Sequence, residues 1–297
     1  MLKWKKRRKE IDMRLRLCAF ADEAAVELAD QIQALQENNI NLIELRNVGG
    51  KNIKDISEEE AKQYSEMLKE NGIEVWAIGS PIGKIDIEGD FEKHLQDAKH
   101  IFKLAKIFGT DRIRIFSFFL KDYDKHENLA LERLKILLAE AEQHGVRLFH
   151  ENEKNIFGDA VERVLKLKNA LPELGIVFDP ANFIQCKEDI KDAISKLHGL
   201  TDYFHIKDID KKTGEIVPAG YGDGKIESLV KGVERETVFT LEPHLTVFAG
   251  YANIDRSRLR TKFAFPGNKE AFDFAVLSFK QVLIKAGYQE KEGYWEK

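Results

Sequence analysis

Eight times along this chain a short apolar or β-branched run is followed by a longer stretch with helical periodicity, and few folds accept that rhythm. The runs are residues 15–20, 41–46, 74–79, 112–118, 146–153, 175–179, 203–207 and 237–242. The helical stretches are 25–37, 58–71, 91–108, 129–144, 159–170, 189–197, 226–233 and 269–286. In the first of these, Val26, Leu28, Ile32 and Leu35 recur at helical spacing, with Asp22 placed to act as its N-cap. Ser57 and Glu60 form a capping-box pattern at the start of the second, and Gly72 is placed to stop it. Several of the short runs are apolar without alternation, as strands buried on both faces are. Strict alternation of strand and helix implies right-handed crossovers and a parallel sheet.

Eight units favour closure into a (β/α)8 TIM barrel over an open doubly wound sheet. The dinucleotide-binding alternative is further weakened because no G-x-G-x-x-G follows the first strand. A barrel of roughly 250 residues absorbs nearly all of the 297 present, and no Pro/Gly-rich linker divides them. The expectation is one α/β domain over residues 13–297, preceded by a basic extension over 1–12. In that extension Lys3, Lys5, Lys6, Arg7, Arg8 and Lys9 surround Trp4. It reads as a frayed extension ahead of Met13 rather than a nucleic-acid arm, because the remainder is not basic: 47 Lys and Arg stand against 51 Asp and Glu. Cys18 and Cys186 are too few for a disulfide framework or a thiolate metal site. With no apolar run long enough to span a bilayer and no secretory signal, a cytoplasmic protein acting on neither nucleic acid nor membrane is expected.

In such a barrel the active site forms at the C-terminal ends of the strands. The last four strands end in polar residues together: Glu151, Asp179, His205 and Glu242, separated by 28, 26 and 37 residues, one strand–helix unit each. Neighbouring strands lie about 4.8 Å apart, so four successive strand ends form an arc facing the barrel axis. One carboxylate at a strand end is more often a helix cap or an ion-pair partner; four in succession reverse that reading. Three carboxylates and an imidazole suit one divalent ion, Mn2+ ahead of Mg2+, Co2+ or Zn2+. The site stays anionic with the ion bound, which favours a neutral polyol over another anion. Glu153 stands two residues beyond Glu151, on the same strand face, and reads as a substrate contact, a reserve base or a replacement for Glu151 as ligand. His150 and His244 read as structural or exposed.

These residues resemble the sugar phosphate isomerase/epimerase family, the xylose isomerase-like TIM barrels. The resemblance runs from Met13 to Gly287 through residues 20–23 (FADE), 43–46 (IELR), 80–84 (SPIGK), 114–118 (RIFSF), 151–153 (ENE), 179–183 (DPANF), 205–208 (HIKD), 222–224 (GDG) and 241–243 (LEP). It implies a single catalytic ion held by Glu151, Asp179, His205 and Glu242, with Glu151 and Glu242 also moving the proton next to a substrate carbonyl. Ketose 3-epimerase-like members carry a His where this chain has Asn182, which puts their substrate contacts in doubt here but not the metal. The endonuclease-like branch needs further histidines at early strand ends, where this chain offers Arg46 and Ser117.

Arg46, Lys84 and Arg114 precede the metal half. They read either as capture points for a phosphate or carboxylate or, for the arginines, as buried ion pairs with Glu44. Lys207 shares a strand face with His205 and reads as a substrate contact or counter-charge; Asp208 reads either as orienting Lys207 or as supporting the ligands from behind. Residues 220–224 (GYGDG) suggest a tight loop, and 245–265, with Phe248, Tyr251, Phe263 and Phe265, reads as a lid or a partner contact, a homo-oligomer being compatible with it. The expected activity is isomerisation or epimerisation of a sugar, sugar phosphate or polyol through an enediolate. The alternatives are a dehydratase of a keto-polyol such as an inosose, a non-catalytic sugar-binding barrel and, disfavoured, a nuclease.

Overall fold

The strand Arg14–Ala19 (β1) is paired in parallel on both sides. Cys18 and Ala19 lie opposite Leu42 and Ile43 of Leu42–Leu45 (β2), and Leu15 to Ala19 run opposite Thr237 to Leu241 of the final barrel strand (β8, Thr237–Leu241). Bonding of the first strand to the last closes the sheet. Between them, in chain order and all parallel, come Glu74–Gly79 (β3), Arg112–Ile115 (β4), Arg147–Glu151 (β5), Gly175–Phe178 (β6) and Tyr203–Ile206 (β7). The eight-stranded barrel is as expected. The computed structural model describes residues 14–249 and 261–297; the basic extension, Met13 and Tyr251 lie outside them.

The helices are Leu28–Glu37 (α1), Glu58–Glu70 (α2), Phe91–Ile107 (α3), Tyr123–Gln143 (α4), Val161–Ala170 (α5), Pro180–Gln185 (α6), Ile190–Leu197 (α7), Ile226–Lys231 (α8) and Asn268–Lys285 (α9). Ser57 and Glu60 form the capping box of α2. Four local readings need correction. Asp22 does not cap α1, which starts at Leu28 after Glu27; Asp22 lies in the turn Ala21–Glu23 and is buried. Helix α4 begins at Tyr123, earlier than its apolar periodicity suggests, because the Asp122 side chain accepts from the Lys125 N–H. Strand β4 ends at Ile115, since the chain then leaves the barrel to bond the loop after β3, Phe116 N to Ile82 O and Phe118 N to Gly83 O. That crossing needs Gly83, at φ +84°, where a Cβ would sit 2.1 Å from the Phe116 carbonyl oxygen. The fourth is the short helix α6, unanticipated because Asp179 looks like a pure ligand yet its Oδ1 also accepts from Asn182 N.

Inside the barrel Cys18, Leu42, Phe149, Val177, Tyr203 and Val238 pack into an apolar floor, with Trp76 against it. Polar side chains above this floor therefore stand at the C-terminal mouth. At the opposite end, the hairpin of Gln289–Lys291 and Tyr294–Glu296 bonds antiparallel to β1, with Trp295 opposite Leu15. Its charged composition hides it from periodicity, but Trp295 is buried. Trp295→Ala is expected to lower the unfolding free energy by about 3–5 kcal/mol, as large-to-small core changes do. Urea denaturation checks this; a change under about 1 kcal/mol would show that the hairpin does not belong to the cooperative core.

Candidate metal centre

Glu151 closes β5, Asp179 follows β6, His205 lies in β7 and Glu242 follows β8. All four are at most 3% exposed, and one donor atom from each lies within 4.8 Å of the other three. The regular barrel register brings this about, since each strand contributes its last inward residue at similar height. Asn152 fixes the relative height of β5 and β6: its amide donates to the Asp179 carbonyl at 2.9 Å and accepts from Asp179 N at 2.9 Å.

The donor atoms fit a cation. His205 Nε2 donates to Glu44 Oε2 (3.1 Å), leaving Nδ1 turned toward Glu151 Oε1 (3.2 Å) and Glu242 Oε2 (3.5 Å) without an aligned hydrogen bond. Asp179 Oδ2 likewise has no aligned hydrogen bond, although Lys207 Nζ stands 2.9 Å away. Two buried donors converging without aligned partners are what a metal ligand set looks like from the protein side. Burial pushes the Asp179 carboxyl up to about 6, with Glu151 and Glu242 adding to the effect against Lys207. Burial would lower His205, but Glu151 and Glu44 raise it well above the ordinary imidazole range. Burial also acts to raise Glu242, yet Lys207, His244 and His205 hold it well below the usual carboxylate range.

The basic residues divide. Arg46 Nε donates to Asp22 Oδ2 (2.9 Å), Nη2 to Asp22 Oδ1 (3.0 Å) and Glu23 Oε1 (3.2 Å), and Nη1 to Glu242 Oε1 (2.8 Å). Its guanidinium lies 4.1 Å from the centre of the Phe20 ring. Arg46 is thus the hub of a buried ion-pair cluster, through Asp22, Glu23 and Glu242 rather than the Glu44 partner expected. Arg114 Nε lies 3.1 Å from Glu151 Oε2 and 3.8 Å from Glu44 Oε1, and its Nη1 donates to the Ser80 carbonyl. Both arginines are engaged with carboxylates of the mouth. Lys84 reaches Glu153 Oε2 at 3.3 Å and stacks 4.3 Å from the centre of the Phe116 ring. Burial lowers Lys84, while burial of Glu153 is outweighed by Lys84 and Lys207, which bring that carboxyl down and weaken it as a reserve base. Lys207 also approaches Glu242 Oε2, at 3.4 Å.

Other side chains were missed or misjudged. Asn182 Nδ2 donates to Glu151 Oε1 at 3.3 Å, so the position that departs from the epimerase pattern touches a candidate ligand. His244 is buried beside Glu23 and Glu242 and tilts against Phe248, which in turn lies over Arg46. Phe263 and Phe265 pack on Phe274 of α9. His150 is structural, one of the two roles expected of it, its Nε2 bonded to Ser117 Oγ at 2.9 Å. Asp208 does not orient Lys207; its carboxylate accepts the backbone N–H groups of Ile209, Gly220, Gly222 and Gly224 and so builds the glycine-rich loop. A Cβ at Gly222 would stand 2.4 Å from that carboxylate. Among the described residues no helix is long and apolar enough to cross a membrane.

Known proteins share this barrel. A 3-dehydroshikimate dehydratase of Bacillus anthracis is 24% identical over 203 residues, 66% of this chain and 72% of that protein. The solved structure of a D-psicose 3-epimerase, determined in the presence of D-fructose, superposes with a TM-score of 0.71 at 14% identity, covering 92% of this chain and 99% of the other. A xylose isomerase-like barrel from Mycobacterium smegmatis in complex with magnesium gives 0.63 at 15% identity, covering 91% and 98%. The family model described as the xylose isomerase-like TIM barrel matches residues 32–249. With most of its length matched and its barrel closed, the chain belongs to the xylose isomerase-like TIM barrel family.

Proposed function

We propose that this chain is a divalent-metal-dependent enzyme that moves a proton next to the carbonyl of a sugar or polyol, as an isomerase or epimerase. One observation carries the reading. Seven carboxylates (Asp22, Glu23, Glu44, Glu151, Glu153, Asp179 and Glu242) share the buried mouth with four basic side chains (Arg46, Lys84, Arg114 and Lys207). His205, raised above the ordinary imidazole range, adds a fifth positive charge, and the anionic excess of two that remains in the buried mouth suits one further divalent cation. Glu151, Asp179, His205 and Glu242 would hold it, Mn2+ being the first candidate, since three oxygen donors and one imidazole suit it.

A divalent ion bound there supplies Lewis acidity toward a carbonyl and a neighbouring hydroxyl of the substrate. The remaining work belongs to the protein. Glu242 and Glu151 approach the centre from β8 and β5, on either side of His205, so a carbon lying between them meets a carboxylate on each side. Glu242, held ionised by Lys207 and His244, takes the proton on one side. To return a proton on the other side, Glu151, oriented by Arg114 and Asn182, enters that turnover protonated and leaves it ionised, while Glu242 leaves it protonated, so the two carboxyls exchange roles or re-equilibrate with solvent. Arg46 keeps Glu242 in place through Oε1 and leaves Oε2 directed at the centre. Lys84 and Glu153 form a charge pair able to bind hydroxyl groups at the edge of the pocket. The anionic balance supports a neutral carbohydrate over a phosphorylated one.

A dehydratase is the second reading, favoured by the similarity to a 3-dehydroshikimate dehydratase. It shares the first proton removal and then expels a β-hydroxyl, for which Lys207 or a protonated carboxyl would serve as acid.

Purified protein is expected to hold about one divalent ion per chain, and Asp179→Asn or Glu242→Gln to lower its affinity at least about tenfold. Elemental analysis and chelator competition measure this; wild-type affinity in both variants would remove the ligand assignment. Incubation of metal-loaded protein with candidate ketoses and keto-polyols in D2O is expected to place deuterium at the carbon beside the carbonyl. Loss of water with a new conjugated-enone absorbance would move the assignment to the dehydratase, and neither signal across both substrate panels would contradict proton transfer as the activity.

A further inference from the structure

Glu44 has no part in the proton transfers above. It is the single polar residue of β2, flanked by Leu42, Ile43 and Leu45, and it is 1% exposed. A carboxylate placed there has to be accounted for by what it touches. Balancing Arg114 is one account, but Arg114 Nε lies 3.8 Å from Glu44 Oε1, beyond hydrogen-bond reach, and 3.1 Å from Glu151 Oε2. The short contacts of Glu44 are different ones. Its Oε2 accepts from His205 Nε2 at 3.1 Å, and its Oε1 accepts from the Tyr203 hydroxyl at 3.2 Å. Tyr203 is fully buried in the barrel floor, so this hydrogen bond anchors the carboxylate from below.

The imidazole is held on its other sides by aromatic edges. Phe20 meets it at 5.2 Å and 84° between planes, Tyr203 at 5.6 Å and 62°. With Nε2 tied to Glu44 and the ring wedged between these two, Nδ1 is the nitrogen left facing Glu151 and Glu242. We propose that Glu44 is a positioning residue: it holds the His205 ring, with its proton on Nε2, so that Nδ1 presents its lone pair to the ion. The chain Tyr203–Glu44–His205 thus runs from the apolar floor to the metal centre. The proposal rests on the metal-centre reading. Removing a partner of this kind commonly costs 10–100-fold in metal affinity without touching a ligand.

The test uses the full chain, stripped of metal, as wild type, Glu44→Gln and Glu44→Leu. Mn2+ and Zn2+ affinities are measured by competition with a chelator. In parallel, the His205 Nε2 proton is followed by nitrogen-resolved NMR in the metal-free protein. The expected result is a loss of about tenfold or less for Glu44→Gln, whose amide oxygen still accepts, and of about 100-fold for Glu44→Leu. The slowly exchanging Nε2 proton is expected in wild type and Glu44→Gln and to be missing in Glu44→Leu. A folded Glu44→Leu protein that binds both ions like wild type, or keeps the Nε2 signal, overturns the proposal. If Glu44→Leu fails to fold, Glu44→Gln decides: an affinity above that of wild type would count against the role. If wild type takes up neither ion, the metal-centre reading fails and the ligand role falls with it, while the proton signal still decides whether Glu44 orients the ring.

Discussion

Burying like charges together is the constraint around which this barrel mouth is arranged. Glu44, Glu151, Asp179 and Glu242 are each at most 3% exposed. Two unit charges about 4 Å apart repel by about 4 kcal/mol at the effective dielectric of a protein surface, and by more where water is excluded. Such a cluster persists only if each member is tied to a cation or a donor. Arg46 ties Glu242 to Asp22 and Glu23, Arg114 ties Glu151, and Lys207 bridges Asp179 and Glu242. These pairs contribute little net stability once the cost of drying both partners is counted. What they provide is placement: carboxylates held at fixed positions with one oxygen each turned inward.

The scaffold makes that placement inexpensive in entropy. Every candidate ligand stands in or directly after a barrel strand, whose backbone is fixed by neighbours on both sides, rather than on a long loop. Two of the connections at the mouth are braced from within. Asp208 collects four backbone N–H groups and draws the glycine-rich loop against β7, and Gly83 lets the loop after β3 pass against Phe116. An ion or substrate bound between these side chains would meet a preformed frame, which lowers the reorganisation that binding requires.

The barrel and the arc of four donors were legible in the sequence because both follow from period. Strand-to-strand spacing sets where residues 151, 179, 205 and 242 must fall, and closure puts their inward faces together. Pairing across the barrel was not legible. Arg46 and Glu242 are 196 positions apart, and nothing in spacing connects them. The same is true of Glu44 and His205, although a lone carboxylate within Leu42, Ile43 and Leu45 was a sign that something inside the barrel required it. Local capping also competed with function. Asp22 resembles an N-cap by spacing but belongs to Arg46, whereas Asp179 resembles a ligand and also caps α6. The terminal hairpin escaped because exposed charges alternate around one buried Trp295, a pattern too short for periodicity to register.

The most direct measurement is anomalous diffraction from crystals of the full chain grown with Mn2+. The expected result is a single peak about 2.0–2.3 Å from one carboxylate oxygen each of Glu151, Asp179 and Glu242 and from Nδ1 of His205. A map from Mn2+-saturated protein with no peak between these four side chains, or with the ion bound elsewhere, would contradict the metal centre and the chemistry built on it.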